Sequence, residues 1–326
     1  MAYNKLIAIG EALIDFIPQQ VGIGLKEVQG FSPKVGGAPA NVCGAFSKLG
    51  GKSMMITKLG EDAFGDRIVE NLRSHQIDVS HILRTKEANT ALAFVSLAAD
   101  GNREFSFYRK PSADMLLDPE ELEEAWFDEA FALHFCSVDL IPSPMKEAHK
   151  KAIQIAREKG SIISFDPNVR FPLWESKEEL RETILEFIPK ANILKISDEE
   201  LEFITGYKTV EEARKILFTG NVKLVLFTKG GDGAEAYTQS TKIDVPSVRV
   251  NAVDTTGAGD GFIGAFLFKL MEDEVKVQAL EDLSETKLIE YLSFANLFCQ
   301  HSVLGEGAID SYPDLNQMKE SLVFSY

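Results

Sequence analysis

The sequence predicts an α/β fold with a doubly wound, mostly parallel sheet flanked by helices and a small projecting β-sheet. Three observations carry that expectation. Apolar strand-like runs alternate with amphipathic helix-like segments along nearly the whole chain, the pattern of parallel strands joined by helical crossovers. Two glycine turns, at 36–37 and 257–259, each open directly onto a helix-like run. Two segments, at about 12–35 and 88–112, break the alternation and interleave apolar with polar residues, as half-buried antiparallel strands do.

Taken in order, the apolar runs predict strands at 6–9, 54–59, 132–138, 162–166, 193–197 and 224–228. Between them the period of the apolar residues lengthens to that of a helix, predicting helices at 38–49, 62–75, 144–159, 177–188, 198–204, 210–217, 257–271 and 285–303. TALAFVSLA and REFSFYR flank the turn Asp100-Gly101-Asn102 and read as an antiparallel hairpin. Such strands do not join the interior of a parallel sheet, so they are expected to form a lid beside a cleft, or a dimer surface. No linker or repeat divides the sequence, and residues 1–326 read as one domain with the two lid segments inserted.

With 326 residues and 45% hydrophobic content, the chain can bury a large core. The opening MAYNKLIAIG has no basic segment followed by a long apolar one, so a cytoplasmic protein is expected. Cys43, Cys136 and Cys299 lie far apart in apolar surroundings and read as reduced core thiols. A formal net charge of −16 argues against nucleic acid or an anionic membrane as partner, since both would be repelled. A nucleotide would need Mg²⁺ and a nest of backbone N–H groups.

The chemistry concentrates in Asp254-Thr255-Thr256-Gly257-Ala258-Gly259-Asp260. Small residues let the main chain approach a ligand, and a helix N-terminus offers unpaired N–H groups at a positive dipole end. Phosphate can bind there without a lysine. Asp260 would face that anion, an arrangement that makes sense if it takes a proton from a nucleophile attacking phosphorus. A capping role alone is the other reading. At Gly36-Gly37-Ala38-Pro39-Ala40-Asn41, Pro39 suits a first helical turn and Asn41 can bind hydroxyls. In open α/β sheets ligands sit beyond the carboxyl ends of the strands, where Asp15, Asp166, Asn168, Ser197, Glu200 and the stretch from Thr228 to Gly233 are expected.

VGGAPANV and DTTGAGDGF, in this order and spacing, resemble the motifs of the ribokinase-like (PfkB) carbohydrate kinases, and the resemblance covers essentially the whole chain. It implies that Asp260 is the catalytic base and that Gly257, Ala258 and Gly259 form its anion hole. It further implies sugar binding by Asp15, Gly36, Gly37 and Asn41. Thr228, Gly230, Gly231 and Gly233 would surround ATP, with Asn296 on the adenine-pocket helix. Asp254 and Thr256 would lie near a K⁺ ion. The family's Asn-x-x-Glu pattern, which supports Mg²⁺ through water, becomes Ser197-Asp198-Glu199-Glu200, so Glu200 keeps the carboxylate while Ser197 replaces the amide. The same four residues also read as a capping box.

REFSFYRKPSADMLL and DPNVRFPLW are similar to segments of bacterial and plant fructokinases. This implies phosphorylation of D-fructose at its C6 hydroxyl, with Phe107 covering the sugar and Arg109 and Arg170 binding it. Kinases of 2-keto-3-deoxygluconate also use arginines, for a substrate carboxylate, and remain the alternative. From other classes, a dinucleotide dehydrogenase would need G-x-G-x-x-G where Gly10-Glu11-Ala12-Leu13 stands. A non-catalytic sugar sensor on the kinase fold would have no use for Asp260.

Overall fold

The computed structural model describes residues 4–20, 22–97 and 103–323. Its strands, in chain order, begin with β1 (Lys5–Ile9), β2 (Leu13–Pro18), β3 (Phe31–Gly36) and β4 (Lys52–Gly60). Next come β5 (Ile77–Asp78), β6 (Ile82–Thr85), β7 (Leu92–Leu97), β8 (Arg103–Tyr108) and β9 (Ala130–Cys136). The last are β10 (Ile162–Asp166), β11 (Ile193–Ser197), β12 (Leu224–Thr228), β13 (Ala234–Tyr237) and β14 (Lys242–Val245).

The large sheet has the order β14-β13-β12-β11-β10-β9-β1-β4-β5, with β6 also on β4. It is parallel from β12 to β5 and antiparallel only at β12–β13–β14. Helices cover both faces. Leu6 and Ala8 of β1 enter one core, with Phe46, Phe266 and Phe298, while Ile7 and Ile9 enter the other, with Phe135, Phe165 and Phe187. Burial on both faces is why these strands read as continuous apolar runs.

The helices that matter for the site are α1 (Ala38–Lys48), α2 (Ala63–Ser74), α3 (Pro144–Glu158), α4 (Lys177–Phe187), α5 (Asp198–Thr205), α6 (Val210–Leu217), α7 (Ala258–Glu272) and α8 (Glu285–Ser302). Their starts follow capping chemistry. Asp62 Oδ1 accepts from the N–H groups of Phe64 and Gly65 at 3.1 and 2.9 Å to begin α2. Glu200 Oε2 accepts from Ser197 N at 2.9 Å, one half of the capping box that begins α5.

The second sheet, β3-β2-β7-β8, departs from expectation in one respect. β2–β3 and β7–β8 are antiparallel, but the central pair β2–β7 is parallel, with Asp15 opposite Ala93. The chain leaves β3 for α1, β4 and α2 before returning at β7, and so long a crossover can bring a strand back in either direction. The turn Asp100-Gly101-Asn102 lies outside the described residues. Strand β9 ends two residues before the expected position, because Ser137 leaves the ladder, its N–H and hydroxyl both bonding the Pro167 carbonyl. The edge hairpin β13–β14 was not expected; each of its strands has only four residues, too few to show a period.

Candidate active site

The turn before α7 is built around Gly257, which has φ +74°. A Cβ at that position would stand 2.5 Å from Ala308 Cβ and 2.7 Å from Tyr312 Oη, so both the backbone angle and the space call for glycine. The Tyr312 hydroxyl donates to the Gly257 carbonyl at 2.6 Å and holds the turn from behind. Asp260 falls in the first turn of α7 and is buried. Both its oxygens are held by amides: Asn41 Nδ2 donates to Oδ2 at 2.9 Å, and Asn168 Nδ2 donates to Oδ1 at 3.1 Å. Burial pushes its pKa above the ordinary carboxylate value, while Asn41, Lys195, Arg170 and Asn168 restrain the rise.

Two cavities meet at this carboxylate. One, of about 480 Å³, lies between the small sheet and the strand ends; Asp15, Gly37, Asn41, Phe107, Arg170 and Asp260 are among its walls. The other, of about 240 Å³, is bounded by Gly257, Ala258, Gly259, Glu200, Lys195 and again Asp260. Asn168, Arg170, Thr255 and Gly257 also border both. A proton acceptor between a compartment sized for a small molecule and one edged by a helix N-terminus can serve transfer between their occupants.

Most expected sugar contacts are brought together here. Gly37, at φ +112°, is a second position that needs glycine, since a Cβ would stand 2.5 Å from the Glu11 carbonyl. Gly36 lies behind the first cavity, where an added methyl would collide with the Asp15 carboxylate. Arg109 is the correction. Its guanidinium is buried and ion-paired with Asp114 and Asp139, away from the cavity wall. Burial, only partly offset by Arg109, drives the Asp139 carboxyl well above its ordinary pKa. A guanidinium taken out of water in this way must be paired, and Asp114 and Asp139 are the partners the fold supplies.

Asp254 straps the turn to the loop after α8. Its Oδ1 accepts from Thr256 N and Oγ1 at 2.9 and 2.6 Å, and its Oδ2 from Gly307 N at 3.0 Å. Glu200 is buried, with Oε1 accepting from Val169 N at 2.7 Å and Oε2 from Ser197 N. Burial would raise its pKa, but Lys195 and those two N–H groups hold it below the ordinary value. No cluster of three ligating side chains occurs among the described residues. That donor set fits Mg²⁺ arriving on phosphate oxygens with its waters retained.

The expected nucleotide residues do not line the second cavity. Thr228 pairs in register with Ser197, which does line it. Gly233 packs on the Val245 carbonyl, to which Asn296 Nδ2 donates at 3.0 Å. Nothing lies within 4 Å of the place a Cβ would take on Gly230, and only Arg249 on Gly231, so that loop is open above.

Two site groups escaped the sequence reading. Glu11 lines the first cavity; Oε1 accepts from Ala38 N at 2.9 Å, and burial, opposed by Arg109, pushes its pKa up to about 7. Lys195 projects from β11 into the second cavity, so the anion turn has a lysine after all. A charged residue inside the apolar run ILKIS was the available signal.

The parallel sheet, the small second sheet and a carboxylate at a glycine-turn helix define a ribokinase-like small-molecule kinase. The chain belongs to the pfkB family of carbohydrate kinases, whose family model matches residues 4–315. It is 45% identical over 309 residues to a probable fructokinase of Arabidopsis thaliana, covering 94% of this chain and 92% of that protein. It is 43% identical to a fructokinase of Zea mays, covering 94% of each. Among solved structures, fructokinase with bound ATP from Xylella fastidiosa superposes with a TM-score of 0.91 at 31% identity, covering 98% of both chains. Fructokinase from Vibrio cholerae with fructose, ADP and calcium bound gives 0.85 at 30% identity, again covering 98% of both.

Proposed function

We propose that this protein transfers the γ-phosphoryl group of MgATP to the C6 hydroxyl of D-fructose, giving fructose 6-phosphate and ADP. The observation that carries the reading is the position of Asp260 at the junction of the two cavities. Fructose occupies the larger one, under Phe107, with Asp15 and Asn41 on its hydroxyls. Asp260 takes the C6 proton as that oxygen attacks phosphorus, and the first-turn N–H groups from Gly257 to Gly259 stabilise the phosphoryl oxygens. Magnesium, when bound, supplies further positive charge to the phosphates, and Glu200 would hold its waters.

The charges at the wall favour a neutral ketose over an acid sugar. Arg109 is already bound to Asp114 and Asp139, and on the cavity wall Asp15, Asp254, Asp260 and Glu306 outnumber the cations Lys34 and Arg170. The identities to fructokinases point the same way. ATP would lie along Thr228, Gly230, Gly231 and Gly233 toward Asn296, and K⁺ would sit by Asp254 and Thr256. The chain would act as one domain, in the cytoplasm where its free cysteines stay reduced. A second copy would pair through the lid sheet, where Tyr108 is 64% exposed.

The test is ADP release from MgATP with fructose, 2-keto-3-deoxygluconate, ribose, glucose and adenosine, each alone. A strong preference for fructose is expected. Preference for the keto-acid sugar would reassign the substrate, and silence with every acceptor would leave a sugar sensor.

A further inference from the structure

Lys195 is a buried cation in a cavity of carboxylates. Its side chain is 7% exposed, and Nζ lies 2.9 Å from Asp166 Oδ2. Asp166 is itself fixed, its Oδ1 accepting from Asn168 N at 3.1 Å. Asp166 stands behind the second cavity, whose wall carries the carboxylates Glu199, Glu200 and Asp260 and the cations Lys195 and Arg170. Although burial disfavours the ammonium, Asp166, Glu200 and Asp260 more than restore it, so Lys195 stays charged at neutral pH.

If Lys195 only neutralised Asp166, a buried apolar pair would serve as well, because desolvation offsets most of the attraction in such a pair. Two further facts point to a ligand. A Cβ on Gly259 would stand 3.0 Å from Nζ, so the ammonium abuts the main chain of the glycine turn. An ammonium has three N–H donors, and one ion pair with Asp166 leaves others for the cavity that Lys195 lines.

We propose that Lys195 is a catalytic residue whose ammonium contacts the phosphoryl group during transfer, beside the N–H groups of the glycine turn, with Asp166 as its buried counter-ion. The inference rests on the kinase reading above. As the sugar oxygen forms its bond to the γ-phosphorus, the bond from that phosphorus to the bridging oxygen breaks, and the electron pair leaves on ADP. The hydroxyl proton goes to Asp260. Lys195 exchanges no proton; it stabilises charge on the oxygens in flight.

The test compares wild type, Lys195→Met, Lys195→Arg and the double variant Asp166→Asn/Lys195→Met. ADP release, fructose binding by calorimetry and thermal unfolding are measured for each. Wild-type turnover with any sugar establishes the kinase reading by itself; its absence with all sugars removes that reading. Given turnover, Lys195→Met is expected to lower kcat about 100- to 1,000-fold, the usual effect of losing one preorganised donor, with fructose binding little changed. Lys195→Arg should recover part of the loss. The double variant removes both charges and should fold normally yet stay as slow as Lys195→Met. Recovery of the double variant to within tenfold of wild type, or a near-normal Lys195→Met, overturns the assignment and leaves Lys195 as a structural partner of Asp166.

Discussion

Asn41 and Asp260, 219 positions apart in the chain, are joined by a hydrogen bond of 2.9 Å from Nδ2 to Oδ2. The bond ties the first glycine turn to the second. Asn41, on the wall of the first cavity, holds one carboxylate oxygen, while Asn168, which borders both cavities, holds the other. The two motifs are therefore halves of one site, and helices α1 and α7 pack together to keep them so.

Asp260→Asn keeps the shape of the side chain and removes its basicity. Turnover is expected to fall by about 100- to 10,000-fold, the usual range for a positioned general base. Fructose binding by calorimetry should change little. Near-normal ADP release by this variant would sink the role given to Asp260.

The pH profile follows from the same groups. Burial raises the Asp260 pKa, so kcat/KM should decline on the acid side with a midpoint above that of an ordinary aspartate. Asn41 donates to the charged form and lowers the pKa. Asn41→Ala should therefore move the acid limb to higher pH, besides weakening fructose. An unmoved limb in the pH–rate profile would show that some other group governs it.

Gly257→Ala is expected to cost about 1–3 kcal/mol of stability, from a non-glycine residue at φ +74° with Ala308 and Tyr312 in the way. On the role proposed for the N–H groups of this turn, kcat should fall while fructose affinity holds. Thermal unfolding and steady-state kinetics separate the two effects; an equally stable, equally active variant would contradict the geometry.

Arg109→Met strands two buried carboxylates. A loss of about 3–5 kcal/mol is expected, the usual result of removing one partner of a buried ion pair. Arg170→Met, at the cavity, should instead act on kcat/KM with little change in denaturant midpoint. If Arg109→Met were stable and raised only the sugar KM, the arginine would belong to the substrate after all.

How much of this was legible beforehand differs from element to element. Strands β10, β11 and β12 have the bounds expected from their apolar runs, because a strand buried on both faces records its burial in consecutive residues. Helices α1, α3 and α7 fall within the expected 38–49, 144–159 and 257–271. The glycine turns were legible because φ +112° and +74° at Gly37 and Gly257, with no room for a Cβ, call for glycine, so the backbone requirement is written in the residue type.

Pairing was not legible. Nothing in ILKIS says that its lysine will meet Asp166 from the neighbouring strand, and nothing in FYRKPSAD says that Arg109 will turn inward to Asp114 and Asp139. Nor could alternation within 12–35 and 88–112 reveal that β2 and β7 run parallel. Local sequence thus determined the layers, the turns and the carboxylate of the site. Tertiary structure alone decided which charges face the cavities and which are spent on each other, because that depends on distances between residues far apart in the chain.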